Sequence, residues 1–253
     1  MGASTVSALD RIRATRAWQS IFRRGPARSN RTRSLAVFGN IFFHLLPVKV
    51  REKSLRVRAT YYLGSISFLL FVVLTITGIL LMLYYHPAVP QAYRDMKDLR
   101  FVVSNGVFLR NLHRLAAQVM VLAVFWHMFH VFYRGGYRPP HEFNWAIGVV
   151  LLLITLFLSY TGYLLPWDQL AFWAITVGTN ILAAMPFLGM KLRYLLLGGN
   201  LVGENALLRF YVLHCVILPL LAGVFIAVHF WRVQKDGGLT VEELEREQDG
   251  AKD

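Results

Sequence analysis

Four long stretches in which polar residues nearly vanish divide the chain, at about 61–85, 110–133, 145–165 and 207–232. A helix that crosses the hydrocarbon core needs roughly 20 predominantly apolar residues, so the pattern predicts four transmembrane helices. Between the third and fourth, the segment from Trp167 to Met190 is apolar but punctuated by Gly178, Pro186 and Gly189. It is too broken to span and predicts short interfacial helices. Ahead of the first span, Leu9, Ile12, Trp18, Ile21 and Phe22 interleave with arginines, the pattern of a helix lying in the headgroup plane. Residues 1–8 and 24–40 read as basic tail. The expected fold is therefore an all-α integral membrane protein: a bundle of four transmembrane helices over residues 60–234, a basic arm over 1–59 and an acidic tail over 235–253.

Composition agrees with that reading. Hydrophobic residues make up 56% of the chain and charged ones only 16%, far from the balance of a water-soluble domain. The net charge of +13 is uneven: residues 1–60 hold thirteen Lys or Arg against two acids, and the tail from Val241 onward is mostly acidic. Basic residues beside apolar spans set orientation and do not imply nucleic acid. Lys49, Arg51, Lys53, Arg56 and Arg58 precede the first span, Arg134 and Arg138 follow the second, and Arg232 and Lys235 follow the fourth. These flanks agree for an even number of spans, which predicts cytoplasmic termini and places residues 86–109 and 166–206 on the outer side. The first forty residues lack a compact apolar core ending in a small-residue cleavage site, so the arm reads as retained. Cys215 is the single cysteine, which excludes an internal disulfide and any Cys-x-x-Cys or Cys-x-x-Cys-His motif. A bound metal must rely on histidine.

The second span holds His113 and His127, 14 residues apart; the fourth holds His214 and His229, 15 apart. At about 3.6 residues per turn both separations approach four turns, so each pair shares a helix face, with levels about 21 Å apart along each helix. Burying an imidazole in a span is costly and calls for a partner. His113 is expected to meet His214 near the outer face, and His127 to meet His229 near the inner one. Neutral imidazole is a good iron ligand, and facing helices of a bundle can present two of them across one porphyrin. Zinc would need further ligands, and no Asp or Glu stands at either level. A single membrane histidine is readily explained by a hydrogen bond to a neighbouring helix. Two pairs at matched spacing point instead to two b-type haems, each held by two histidines.

Glycines repeat the period. Gly64 and Gly78 lie 14 apart in the first span, and Gly148 and Gly162 lie 14 apart in the third. Glycine lets a backbone approach a flat ligand closely, although it also serves plain helix packing. Arg110 and Arg114 bracket His113 and suit haem propionates, or anchor the helix end to headgroups. Arg209, five residues before His214, is a weaker candidate.

The motifs Arg110-Asn-Leu-His113-Arg114, His127, Thr161-Gly-Tyr-Leu-Leu-Pro-Trp-Asp-Gln169, Arg209-Phe-Tyr-Val-Leu-His214 and His229 together resemble cytochrome b of the bc1 and b6f complexes. The resemblance runs over about residues 48–240 and is strongest to the short, split b6-type protein, which shares the 15-residue spacing; mitochondrial-type proteins have 14. It implies the core of a quinol oxidoreductase. Quinol is oxidised near the outer face, one electron goes to a Rieske iron-sulfur protein, the other descends through two haems to a quinone, and protons leave on the outer side. The implied partners are a separate subunit carrying the C-terminal part of cytochrome b with its Pro-Glu-Trp-Tyr segment, the Rieske protein, a cytochrome c-type subunit, a second copy of the chain, and the lipid of a bacterial cytoplasmic membrane. Residues Leu165 to Thr179 would line part of the quinol pocket, with Leu170, Ala174 and Gly178 at the family's lining positions.

Three positions depart from the b6 pattern. Tyr62 stands where that branch has the cysteine of a covalent third haem, so two non-covalent haems b and no covalent third are expected. Gln234 replaces an arginine after the fourth helix, and His130 stands where plastid-type sequences carry arginine. Cys215, beside His214 at the opposite face, reads as a small core residue. Asp168 reads as the cap of the helix that follows it, and Glu204 has no role beyond its outer location. The competing readings are a dihaem membrane anchor of another quinone-linked dehydrogenase, against which the Gly-Tyr-Leu-Leu-Pro-Trp run weighs, and a non-redox transporter or scaffold.

Overall fold

The computed structural model describes residues 8–21 and 61–236. Phe22, the basic stretch 24–40, the flank Lys49 to Arg58 and the acidic tail from Val241 lie outside the described residues. Every regular element among the described residues is helical.

The four spans are α3 (Leu63–Met82), α5 (Gly106–Tyr133), α6 (Glu142–Leu164) and a stretch of 33 residues, Glu204–Asp236. That last span consists of α9 (Glu204–Val212), one π turn over Leu213–Ile217, and α10 (Leu218–Asp236). The side chains are distributed as lipid solvent demands. Leu69, Leu122, Phe157 and Leu220 are exposed, whereas Thr77, Ala116, Ala123, Thr155 and Thr161 are buried. Without a hydrophobic drive between helices, small residues let the backbones approach. Buried hydroxyls are satisfied within their own helix, Thr77 Oγ1 donating to Val73 O at 2.7 Å and Thr161 Oγ1 to Phe157 O at 2.8 Å.

By internal packing the described residues form two compact units whose borders cut across the spans. One comprises residues 63–126 and 152–223. Its connection between the first two spans contains α4 (Gln91–Phe101), which hydropathy does not mark because the segment is dense in charge. A helix outside the hydrocarbon needs only one apolar edge, here Ala92 and Leu99. The start of this connection is tied down: Tyr85 donates its hydroxyl to Leu165 O at 2.7 Å and stacks on Tyr211. The buried Asp95 carboxylate accepts from His86 N at 2.6 Å, His86 Nδ1 at 3.0 Å and Gln91 Nε2 at 2.7 Å. Burial pushes the Asp95 carboxyl up, but the hydrogen bonds from Gln91 and His86 outweigh it and hold the group below its ordinary value. Burial likewise pushes the Tyr85 hydroxyl well above the usual tyrosine range.

The broken apolar segment forms α7 (Gln169–Ala183) and α8 (Gly189–Leu197), as its glycine and proline punctuation predicts. Asp168 caps α7, its carboxylate accepting from Ala171 N at 2.8 Å. Leu164, Ile175, Leu197, Ala206 and Phe210 form a buried cluster that packs α7 and α8 onto the ends of α6 and α9.

The second unit comprises residues 127–151 and 224–236 together with the amino-terminal arm. The arm forms two short helices, α1 (Ala8–Arg13) and α2 (Arg16–Ile21), where hydropathy suggests one. They break at Ala14–Thr15, and Thr15 Oγ1 accepts from Trp18 N at 3.3 Å, restarting the helix. The fully buried Arg232 of α10 donates to Ser20 O at 2.8 Å and Ile21 O at 3.4 Å. These carbonyls end α2, where a cation satisfies orphan acceptors and complements the helix dipole. Its guanidinium also lies over the Phe143 ring and 3.1 Å from Asp236.

Candidate functional site

His113 of α5 and His214 of the π turn face each other, ring centres 6.3 Å apart and ring planes at 80°. His127 of α5 and His229 of α10 repeat the arrangement at 6.4 Å and 84°. A metal–imidazole bond of about 2 Å on each side sets two trans imidazole ring centres about 6 Å apart. Both pairs match that separation. Among the described residues no cluster of three or more His, Cys, Asp or Glu exists, so the geometry suits a metal whose remaining ligands come from a macrocycle.

The hydrogen bonds around the first pair decide which ring nitrogen is left free to bind a metal. Thr77 Oγ1 gives its hydrogen to Val73 O, so at 2.7 Å from His113 Nδ1 it acts as acceptor, and Nδ1 carries the proton. His214 Nδ1–H is shared between Leu158 O at 3.1 Å and Thr161 Oγ1 at 3.2 Å, the latter already donating to Phe157 O. In both rings the tautomer fixed this way leaves the lone pair on Nε2, the form that binds iron.

Two of the four candidate glycines touch these rings. A Cβ on Gly78 would lie 3.3 Å from His113 Cε1, and one on Gly162 would lie 2.5 Å from His214 Cε1. Each follows a hydrogen-bonding threonine, so Thr77-Gly78 and Thr161-Gly162 do the same two things, the hydroxyl anchoring Nδ1 and the missing side chain making room for the ring. Gly148 behaves differently, its nearest neighbour being the flexible Met128 side chain at 3.4 Å. Gly64 is half-buried at the start of α3.

The second pair is supported less firmly. His229 Nδ1 is buried and, among the described residues, has no partner within hydrogen-bonding limits; the Asn144 backbone is the group that faces it. Asn144 Oδ1, Gln234 Oε1 and Ser20 Oγ are also buried without partners among the described residues. Gln234, the position where an arginine is expected, lies two residues beyond the buried Arg232.

Other expected residues are placed as follows. Arg110 is half-buried and Arg114 exposed. Arg209 is turned to the loop before α9, bonding Asn205 O at 3.3 Å and packing on Gly198. Leu170, Ala174 and Gly178 follow one another at four-residue steps along α7. Leu170 lines a cleft of about 570 Å³ with Val89, Pro90, Tyr93 and Trp167, while Ala174 and Gly178 pack on Tyr160, whose hydroxyl donates to Ala174 O at 2.9 Å. Sequence reasoning missed Thr77, Thr161 and Tyr160. For the threonines a signal existed: the same Thr-Gly dipeptide occurs at matching positions of the first and third spans.

The cytochrome b/b6/petB family model matches residues 48–237. Cytochrome b6 of Auxenochlorella protothecoides is 40% identical over 177 residues, covering 70% of this chain and 82% of its own. Cytochrome b6 of Prochlorococcus marinus (strain MIT 9303) is 41% identical over 177 residues, with coverage of 70% and 81%. Among solved structures, a chain of a hyperthermophilic respiratory Complex III superposes with a TM-score of 0.65 at 27% identity, covering 70% of this chain. This chain spans about half of that one's length, 48%. The protein therefore belongs to the cytochrome b/b6 family, the membrane-spanning b-type haem proteins of electron transport.

Proposed function

We propose that this chain is the cytochrome b subunit of a quinol:cytochrome c or plastocyanin oxidoreductase, carrying electrons across the membrane on two non-covalent haems b. His113 with His214, and His127 with His229, hold one iron each. The observation that carries the reading is the pair of imidazole separations, 6.3 and 6.4 Å. The Nδ1 anchors on His113 and His214 support it by leaving Nε2 lone pairs for a metal. When bound, each haem supplies a reversible one-electron couple. The chain's own part is to hold the imidazoles in the binding tautomer, to leave space at Gly78 and Gly162, and to offer Arg110 and Arg114 to anionic propionates at one end of α5. Leu170, with Ala174 and Gly178 along the same face of α7, forms part of the quinol pocket at the outer face, where oxidation releases protons.

The remaining quinol-site residues come from a separate subunit with the C-terminal part of cytochrome b. The assembly includes a Rieske iron-sulfur protein, a cytochrome c-type subunit and a second copy of this chain, in a bacterial cytoplasmic membrane with both termini cytoplasmic. The test is a pyridine-haemochrome count on the purified complex before and after acid-acetone extraction. Two extractable haems b per chain are expected, together with copurification of a Rieske protein. One haem per chain, or haem that resists extraction, contradicts the reading.

A further inference from the structure

The two ligand-bearing spans differ by one residue in their histidine spacing, 14 against 15, and the longer one contains a single π turn at its first ligand. We propose that the π turn Leu213–Ile217 is a positioning device that takes the extra residue out of the helical count and so sets the register of His214. The inference rests on the ligation reading above. At about 100° per residue, 14 residues fall about 40° short of four turns and 15 overshoot by about 60°. Uncorrected, the fourth span would aim its two imidazoles about 100° differently from the second. A π turn closes i→i+5 in place of i→i+4, so it accommodates one more residue than an α turn. Here Leu218 N–H bonds Leu213 O across five residues, immediately after Leu213 N–H has closed α9 on Arg209 O and Phe210 O.

The local chemistry that opens the ladder is legible. Pro219 follows the turn by two residues. Proline has no N–H to give the carbonyl four residues back, and its ring conflicts with that carbonyl, here Cys215 O. Widening the helix at 213–217 relieves the conflict between the Pro219 ring and the Cys215 carbonyl. His214 is then held on the far side by Leu158 O and Thr161 Oγ1, and the turn before it by the edge contact between Tyr160 and Phe210. The π turn is thus fixed at the residue whose direction matters.

One-residue deletions and insertions in the intact complex test this, read by haem count and by cryo-electron microscopy. Deleting Val216 together with Pro219→Ala, which removes the ring that opposes an i→i+4 ladder, should let the turn heal to a 14-residue spacing, keeping two haems per chain. Deleting Val121, between His113 and His127 in a span without such a turn, should drop the count to one. Inserting an alanine after Val216 should also drop it to one, because a single turn absorbs a single residue. Loss of haem on deleting Val216 with Pro219→Ala, failure of that variant to accumulate in the membrane, a persisting π turn in its structure, or retention of both haems on deleting Val121 each overturns the proposal. His214→Ala serves as reference: if it keeps two haems, the ligation reading itself fails, whereas if it loses one while the Val216 deletion with Pro219→Ala also loses one, only the register inference fails.

Discussion

The two histidine pairs are nearly superposable in their own dimensions and differ in what surrounds them. Ring separations agree to 0.1 Å and both pairs are close to perpendicular. Around His113 and His214, however, each Nδ1 has a threonine hydroxyl and each ring a glycine against it, and the π turn carries His214. Around His127 and His229 the matching glycine faces a methionine, and His229 Nδ1 is buried without a hydrogen bond among the described residues. The rings of the first pair are held from behind by hydrogen bonds; in the second, His229 Nδ1 has none among the described residues. Groups behind a ligand fix its tautomer and tune its basicity, so equal ligands need not give equal centres.

The sharpest way to break this contrast is at the glycines. Gly162→Ala puts a methyl group 2.5 Å from His214 Cε1, against an imidazole already held by two acceptors. Overpacking of about 1–3 kcal/mol is expected, seen as a lowered Tm and as loss of haem from the first centre. Gly78→Ala, at 3.3 Å, should show a smaller effect of the same kind, and Gly148→Ala, facing a pliable Met128 side chain, almost none. Equal losses for all three would erase the distinction.

The threonines sharpen it further. Thr77→Val leaves the His113 Nδ1–H without its acceptor and should weaken retention of the first haem by about 10–100-fold, measured as the rate of haem transfer to an apoprotein acceptor. Thr161→Val should cost less, because Leu158 O still accepts from His214. Both should leave the haem at His127 and His229 in place.

The smallest effect concerns the connection rather than the centres. The Asp95 carboxyl is held below its ordinary value in the fold. Its contribution is therefore full above the unfolded carboxylate value of about 4 and is lost as pH falls through the lower folded value. Asp95→Asn should lower stability at neutral pH by about 1 kcal/mol and flatten the acid limb of a Tm-against-pH curve. An unchanged acid limb would remove Asp95 from that role.

Much of this was legible in the chain. The spans, the broken segment Trp167 to Met190 and the Asp168 cap follow from hydropathy, punctuation and capping chemistry, and the pairing of the four histidines from spacing. The helix Gln91–Phe101 was not, because a charged helix outside the lipid lacks the apolar run that marks a span. Nor were the anchors: Thr77 meets His113 across 36 residues and Thr161 meets His214 across 53, contacts that no local pattern encodes, although the repeated Thr-Gly pair hints at them. The π turn was half visible, as one surplus residue and a proline. The Arg232 clamp on α2 joins residues more than 200 apart and left no local trace at all.

The central claim is that paired imidazoles hold iron at two separate centres. Haem per chain, counted as the pyridine haemochrome in purified His113→Ala and His229→Ala complexes, tests it most directly. One haem in each variant is predicted, with the surviving spectrum differing between them. Two haems in either variant would contradict the account.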